Sequence, residues 1–166
     1  TVKKGFYIDI GAYDPDMDSV TKLFYDMGWS GINIEPQKDR FEFFEEKRPR
    51  DINLNVGISD IATKLKIRSY KNQGLSTFSD VIKTDYKNKV ISETSDFVEY
   101  DVPIISLKDV HQTYVKEKLV NFLKVDVEGL EYEVLRGNDW KVFRPQVICI
   151  EANHMIKDWR SILADN

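Results

Sequence analysis

Cysteine is nearly absent: Cys149 is the only one in 166 residues, which excludes an internal disulfide and argues against a cysteine-based zinc centre. No apolar run approaches the roughly 20 residues needed to span a bilayer, and Thr1-Val2-Lys3-Lys4-Gly5 is not followed by a signal-type apolar core. Neither sign of charge dominates, with 24 basic against 28 acidic residues and a net charge of -4, so no global field draws nucleic acid. Internal repeats, low-complexity tracts and Pro/Gly-rich linkers are also missing. These absences lead to the expectation of a cytoplasmic protein with no membrane span and no nucleic-acid partner, built as one domain over residues 1–166. What is present, 42% hydrophobic and 12% aromatic residues, suffices for one substantial core.

Phe6-Tyr7-Ile8-Asp9-Ile10 is an apolar run broken only at Asp9, the pattern of a strand buried on both faces of a parallel sheet. A helix capped by Asp18 or Ser19 follows, with Val20, Leu23, Phe24 and Met27 on its buried side and Gly28 ending it. Gly31 to Glu35 reads as strand two, Pro36 as a helix start with Phe41 and Phe44 facing the core, and Leu54, Val56 and Ile58 as a third strand. Leu65 and Ile67 alternate with Lys64, Lys66 and Arg68, and Val102 with Ile104 repeats the alternation, as in half-exposed antiparallel strands. The polar segment between them, around 72–95, reads as a loop insertion or lid. Leu107, Val110 and Tyr114 mark a helix, Phe122 to Val127 a buried strand, and Leu130, Val134 and Leu135 a helix ending at Gly137. Val147 to Glu151, with Cys149 as a core residue, makes the last strand, and Met155, Ile156, Trp159, Ile162 and Leu163 the last helix. This alternation predicts an α/β, Rossmann-like, mostly parallel doubly wound sheet with helices on both faces.

In such a sheet ligands bind beyond the carboxyl ends of the strands, where strand order reverses. Asp9 and Gly11, Glu35, Asn55 and Gly57, Asp126 and Glu128, and Glu151, Asn153 and His154 gather there. A glycine permits close backbone approach to a ligand, and a carboxylate ending strand two can accept both hydroxyls of a ribose, which favours a nucleoside-bearing cofactor. The G-x-G-x-x-G of a dinucleotide site is missing, because Gly11 is followed by Ala12-Tyr13-Asp14-Pro15-Asp16. Asp9, Asp14, Asp16 and Asp18 would repel a pyrophosphate and suit a sulfonium or amino group. Asp126 could also cap the next helix, and Glu131 could complement its positive end.

The segments Tyr7-Ile8-Asp9-Ile10-Gly11-Ala12, Gly28-Trp29-Ser30-Gly31 through Glu35-Pro36, Leu75-Ser76-Thr77, Leu123-Lys124-Val125-Asp126-Val127-Glu128-Gly129-Leu130-Glu131 and Arg144-Pro145 leading to Glu151 give the chain, over nearly its whole length, a close likeness to one family. It resembles the FkbM-type methyltransferases. The resemblance implies a class I methyltransferase fold, S-adenosyl-L-methionine as cofactor, and O-methylation of a sugar or secondary-metabolite hydroxyl. It assigns Asp9, Gly11 and Ala12 to the methionine end of the cofactor, Glu35 to the ribose, Val56 and Gly57 to the adenine side, and Asp126 to the border of the methyl-transfer position. Tyr13, Ser19, Pro36 and Asn55 complete the cofactor-binding set. Tyr13-Asp14-Pro15 departs from the family's usual Asn, variable residue and Gly, and the family's two further strands after the last helix have no counterpart here.

Methyl transfer to an alcohol needs alignment, exclusion of water and a base for the hydroxyl proton. His154 has the most suitable ordinary pKa, and Asp126, Glu128 and Glu151 are the carboxylate candidates. No resident metal is expected, although Asp126, Glu151 and Asn153 offer an oxygen-only alternative. The acceptor is expected to be a small molecule or a glycan, and an uncovered fifth strand would be a sticky edge compatible with a homo-oligomer. A nicotinamide oxidoreductase lacks its glycines here, and a base-modifying methyltransferase lacks an Asn-Pro-Pro-Tyr motif. The alternative from another class is a non-catalytic cofactor-binding or assembly domain on the same fold.

Overall fold

The structure, a computed structural model, describes residues 3–70, 97–152 and 156–166. The insertion expected at 72–95, and Asn153, His154 and Met155, lie outside the described residues.

Five parallel strands form the main sheet in the order β3-β2-β1-β7-β8: β1 (Phe6–Ile10), β2 (Ser30–Ile34), β3 (Ile52–Leu54), β7 (Phe122–Val125) and β8 (Val147–Ile150). The first three wind outward from β1 to one side and the last two to the other, so the order reverses between β1 and β7. This is the expected α/β architecture. A second sheet, ordered β4-β6-β5, joins β4 (Gly57–Ile58), β5 (Thr63–Tyr70) and β6 (Phe97–Ile105). β5 and β6 pair antiparallel, with Ile67, Val102 and Ile104 buried, as their alternation predicts. The helices are α1 (Lys22–Asp26), α2 (Lys38–Lys47), α3 (Leu107–Val110, continued by a π-helical turn over His111–Val115), α4 (Glu131–Arg136) and α5 (Arg160–Ala164). Among the described residues no helix is long and apolar enough to cross a membrane.

The two faces of the main sheet differ in chemistry. Ile8, Ile10, Ile32, Ile34, Leu123 and Val125 point to one face and pack with Leu107, Val110 and Val115 of α3 and its continuation and with Val134 of α4 in one apolar core. The alternate positions place Tyr7, Asp9, Asn33 and Lys124 on the opposite face, all buried. Gly31 stands opposite Tyr7 in register, and a Cβ there would meet the Tyr7 ring at 2.3 Å, so the ring occupies the space that glycine leaves.

On this polar face Arg48, at the end of α2, is 1% exposed. Its guanidinium donates to Thr21 Oγ1 at 2.9 Å, Ser19 Oγ at 2.8 Å, Tyr7 Oη at 3.3 Å and the Pro15 carbonyl. Tyr7 in turn donates to Asp51, which also accepts from Gly31 N and Asn33. Burial and the Asp51 carboxylate hold the Tyr7 phenol well above its ordinary pKa.

Four expectations are corrected. Val20, Leu23 and Met27, expected on the buried side of the first helix, are exposed, and α1 begins only at Lys22 with no side-chain cap from Asp18 or Ser19. The sheet beneath is polar here, so Thr21 turns inward instead to meet Asp9 and Arg48. The third strand is two: β3 ends at Leu54 and β4 belongs to the other sheet. Between them Asn55 donates to the carbonyls of Glu35 and Pro36, at 2.9 and 3.0 Å, and holds the chain where it leaves β3. Cys149 is exposed rather than in the core. Among the described residues β8 is an edge strand with Val147 and Cys149 outward and Ile148 and Ile150 half-buried, because the described residues cover only one of its faces. The last helix is confined to Arg160–Ala164, with Ile156 before it exposed.

Replacing Arg48 by Met would strand several buried acceptors at once. Urea denaturation should show a loss of about 3 kcal/mol, with thermal unfolding shifted downward in parallel.

Candidate active site

The loops leaving β1, β2 and β7 enclose a pocket at the switch point, lined by Gly11, Ala12, Tyr13, Met17, Asp18, Glu35, Pro36, Gln37, Val56, Gly57, Lys124, Asp126, Val127, Glu128 and Leu130, over a floor of Ile10, Ile34 and Ile58. Of the expected cofactor residues, Gly11, Ala12, Tyr13, Glu35, Pro36, Val56, Gly57 and Asp126 face it. Asp9, Ser19 and Asn55 are not in its wall. They support it from behind: Asp9 accepts from Thr21 Oγ1 at 2.6 Å, Ser19 from Arg48, and Asn55 holds the Glu35 and Pro36 carbonyls.

Gly11 has φ +73°, and a Cβ on it would stand 1.8 Å from the Asp126 carbonyl oxygen. The close approach that demands glycine is therefore to β7, with the ligand space beyond it. Gly11 N and Ala12 N both donate to the Ile34 carbonyl, at 3.0 and 3.2 Å, which ties this turn to β2.

Glu35 is 3% exposed, and its two oxygens accept from Tyr13 N at 2.7 Å and Gln37 N at 2.8 Å. The carboxylate thus joins the turn after β1 to the start of α2. Each oxygen keeps a lone pair for a further donor from the pocket. Burial raises its pKa to about 7, against the opposing pull of those two N–H groups and of the Lys124 charge. Tyr13 itself has φ +54°, and its ring lies 4.4 Å from the Arg40 guanidinium, which also pairs with Asp14 at 3.3 Å.

Asp126 and Glu128 line the pocket, and they and Glu151 each bring a carboxylate oxygen within 4.8 Å of one another. Three of the four catalytic candidates are therefore together, and the fourth, His154, lies outside the described residues. Such a group can accept a proton or attract a cation, whether a sulfonium or a hard metal ion. Glu128 and Gly129 both have positive φ, +53° and +97°, and the Glu131 carboxylate holds their loop by accepting from Val127 N and Gly129 N. Burial raises the Glu131 pKa while those N–H groups oppose the rise. Glu131 stands in the first turn of α4, as expected of a residue that complements its positive end, and also reaches back to the loop, whereas Leu130, not Asp126, is the residue before that helix. Tyr13, Asp18 and Glu128, three non-glycine residues with positive φ, all line the pocket, a concentration of backbone strain of the kind found at functional sites.

Sequence reasoning missed Lys124, Gln37 and Met17 in the wall and Thr21 and Arg48 behind it, whereas Asp18, one of the carboxylates expected to suit a cationic ligand, lines the pocket. Lys124 could have been found: it precedes Asp126 by two, so both side chains leave β7 on one face. Gln37, held by Ser69 Oγ at 2.8 Å, had no such local signal.

An open parallel sheet with a carboxylate at the end of its second strand and a pocket at the reversal of strand order defines a Rossmann-like α/β protein. Within that class, residues 9–166 match the family model described as the methyltransferase FkbM domain, and the chain belongs to that family. No curated protein matches it. Among solved structures it is similar to methyltransferase FkbM from Methylobacillus flagellatus KT, at 12% identity and a TM-score of 0.47 over 81% of this chain. The chain spans 29% of the length of that protein.

Glu35 also makes stability depend on pH. Its folded pKa, about 7, lies above the ordinary value of 4.5, so the neutral carboxyl favours the fold fully below the ordinary value and that contribution is lost as pH rises through 7. Urea titrations should show the parent losing roughly 2 kcal/mol relative to Glu35→Gln between pH 5 and pH 8. A constant difference across that range would remove the buried-carboxyl account.

Proposed function

We propose that this chain binds S-adenosyl-L-methionine and transfers its methyl group to a hydroxyl of a small-molecule or glycan acceptor. The observation that carries this reading is the pocket itself, lined by Glu35, Asp126 and Glu128 with Glu151 beside the last two, in a chain of the FkbM family.

The pocket fits such a cofactor chemically. Glu35 has acceptor capacity for ribose hydroxyls, Ile34, Val56 and Ile58 offer apolar surface to a purine, and the strand-end carboxylates match a positive sulfur. When bound, the cofactor would supply an electrophilic methyl carbon: the acceptor oxygen bonds to it as the carbon–sulfur bond breaks and the sulfur leaves neutral. The chain's own residues supply alignment and a place for the hydroxyl proton. Asp126 lines the pocket, and Glu128 and Glu151 share its oxygen cluster, so the proton passes to this group. Positioning carries most of the rate in such a displacement.

Calorimetry with S-adenosylmethionine and S-adenosylhomocysteine tests the reading. The parent should bind both, and Glu35→Ala should bind about 30-fold more weakly, the loss expected for two hydrogen bonds to a charged acceptor. Because ribose hydroxyls prefer the ionised carboxylate, affinity in the parent should rise between pH 6 and pH 8. Asp126→Asn should keep S-adenosylhomocysteine binding within about threefold and lose methyl transfer by about 100-fold in a mass-spectrometric screen over glycans and hydroxylated metabolites. Binding with no transfer to any acceptor would favour a non-catalytic cofactor-binding domain, and unchanged affinity in Glu35→Ala would sink the cofactor assignment.

A further inference from the structure

Lys124 is 8% exposed and lies opposite Asp9 in the β1–β7 register. Its ammonium donates to the Gly11 carbonyl at 2.6 Å and pairs with Asp126 Oδ2 at 3.2 Å and Asp9 Oδ1 at 3.3 Å. The contact with Gly11 is a hydrogen bond and those with the two carboxylates are ion pairs, so the ammonium engages the scaffold and the pocket wall at once. Burial opposes the charge, but the Asp9 and Asp126 carboxylates outweigh it and hold the pKa above the ordinary lysine value, which excludes a role as a proton acceptor. The partners are of two kinds. Asp9 belongs to the scaffold, since its other oxygen accepts from Thr21, which Arg48 holds in turn. Gly11 and Asp126 belong to the pocket wall.

We propose that Lys124 is a positioning residue of the methyl-transfer site, its ammonium locking the turn at Gly11 to the carboxylate of Asp126 and both to the buried Asp9. This rests on the cofactor reading above and adds to it what sets the distance between the cofactor loop and the carboxylate at the transfer point. The peptide between Gly11 and Ala12 has its N–H, from Ala12, fixed by the Ile34 carbonyl at 3.2 Å and its C=O, from Gly11, fixed by Lys124, so its plane is set from both sides before any ligand arrives. Asp126 Oδ2 is held by Lys124, and an oxygen of the same carboxylate lies within 4.8 Å of Glu128 and Glu151, so the ion pair orients the group that carries the cluster. Such pre-setting removes an ordering cost from binding.

Packing and donation are separable. Lys124→Met keeps the aliphatic stem and removes the donors, whereas Lys124→Arg keeps the charge and the donors and disturbs the packing. Two readouts need no acceptor: calorimetry with S-adenosylhomocysteine, and hydrogen exchange of the amides of residues 11–18. The lock predicts that Lys124→Met binds at least tenfold more weakly and exchanges at least tenfold faster in that segment, and that Lys124→Arg recovers both to within about threefold of the parent. Met equal to or better than Arg in both readouts would mean that Lys124 only fills space, and would overturn the proposal. If Lys124→Met does not fold, Asp126→Ala removes one leg of the lock, and unchanged exchange at residues 11–18 would overturn it equally. A parent that fails to bind S-adenosylhomocysteine would defeat the cofactor reading alone, because the exchange comparison would still judge the lock.

Discussion

An ammonium and a carboxylate face each other across two parallel strands inside this protein, Lys124 on β7 and Asp9 on β1, with almost no access to water. Charges taken out of water are tolerated only when fully partnered, and removing one partner of such a pair commonly costs several times what the pair contributes. The surroundings are organised accordingly. Asp9 accepts from Thr21 at one oxygen and faces the Lys124 ammonium at the other, Thr21 accepts from Arg48, Arg48 also donates to Tyr7, Ser19 and the Pro15 carbonyl, and Tyr7 donates to Asp51. The chain runs from the pocket wall along the polar face of the sheet and holds separate segments in place: residues 15–21 through Arg48, the start of β2 at Gly31 through Asp51, the turn at Gly11 through Lys124. The pocket is shaped by loops, and the loops are held by this network.

The opposite face of the same sheet is an ordinary apolar core. One layer supplies the driving force of burial, and the other supplies geometry. This division explains why α1 and the residues flanking it present Val20, Leu23 and Met27 to solvent. The helix lies over a polar floor, and the residue that the floor needs is Thr21.

How much could be read in the sequence follows from the range of each signal. Strand-end residues are local: Asp9, Gly11, Glu35 and Asp126 stand at the close of recognisable apolar runs, and the parallel sheet with its pocket follows from the alternation of those runs with helices. The remaining determinants act at a distance. Lys124 meets Gly11 across 113 positions and Arg48 meets Pro15 across 33, and no periodicity marks either pairing. The split of the third strand was hidden for another reason. Leu54, Val56 and Ile58 keep an unbroken alternation through the break, and only the side chain of Asn55, holding two carbonyls of the β2–α2 connection, marks where the chain changes sheets. Cys149 was misjudged because an apolar run in an edge strand reads the same as one in a central strand.

The alternation of β7 has one more consequence, for how the sheet finds its register. A slip of one residue would carry Lys124 into the apolar layer among Ile8, Ile10 and Val134, and would bring Leu123 or Val125 against Asp9. Greasy strands paired side by side have little to tell one alignment from the next. A single charged residue in such a strand makes the one-residue slips expensive, so the lysine also helps to fix the alignment of the sheet.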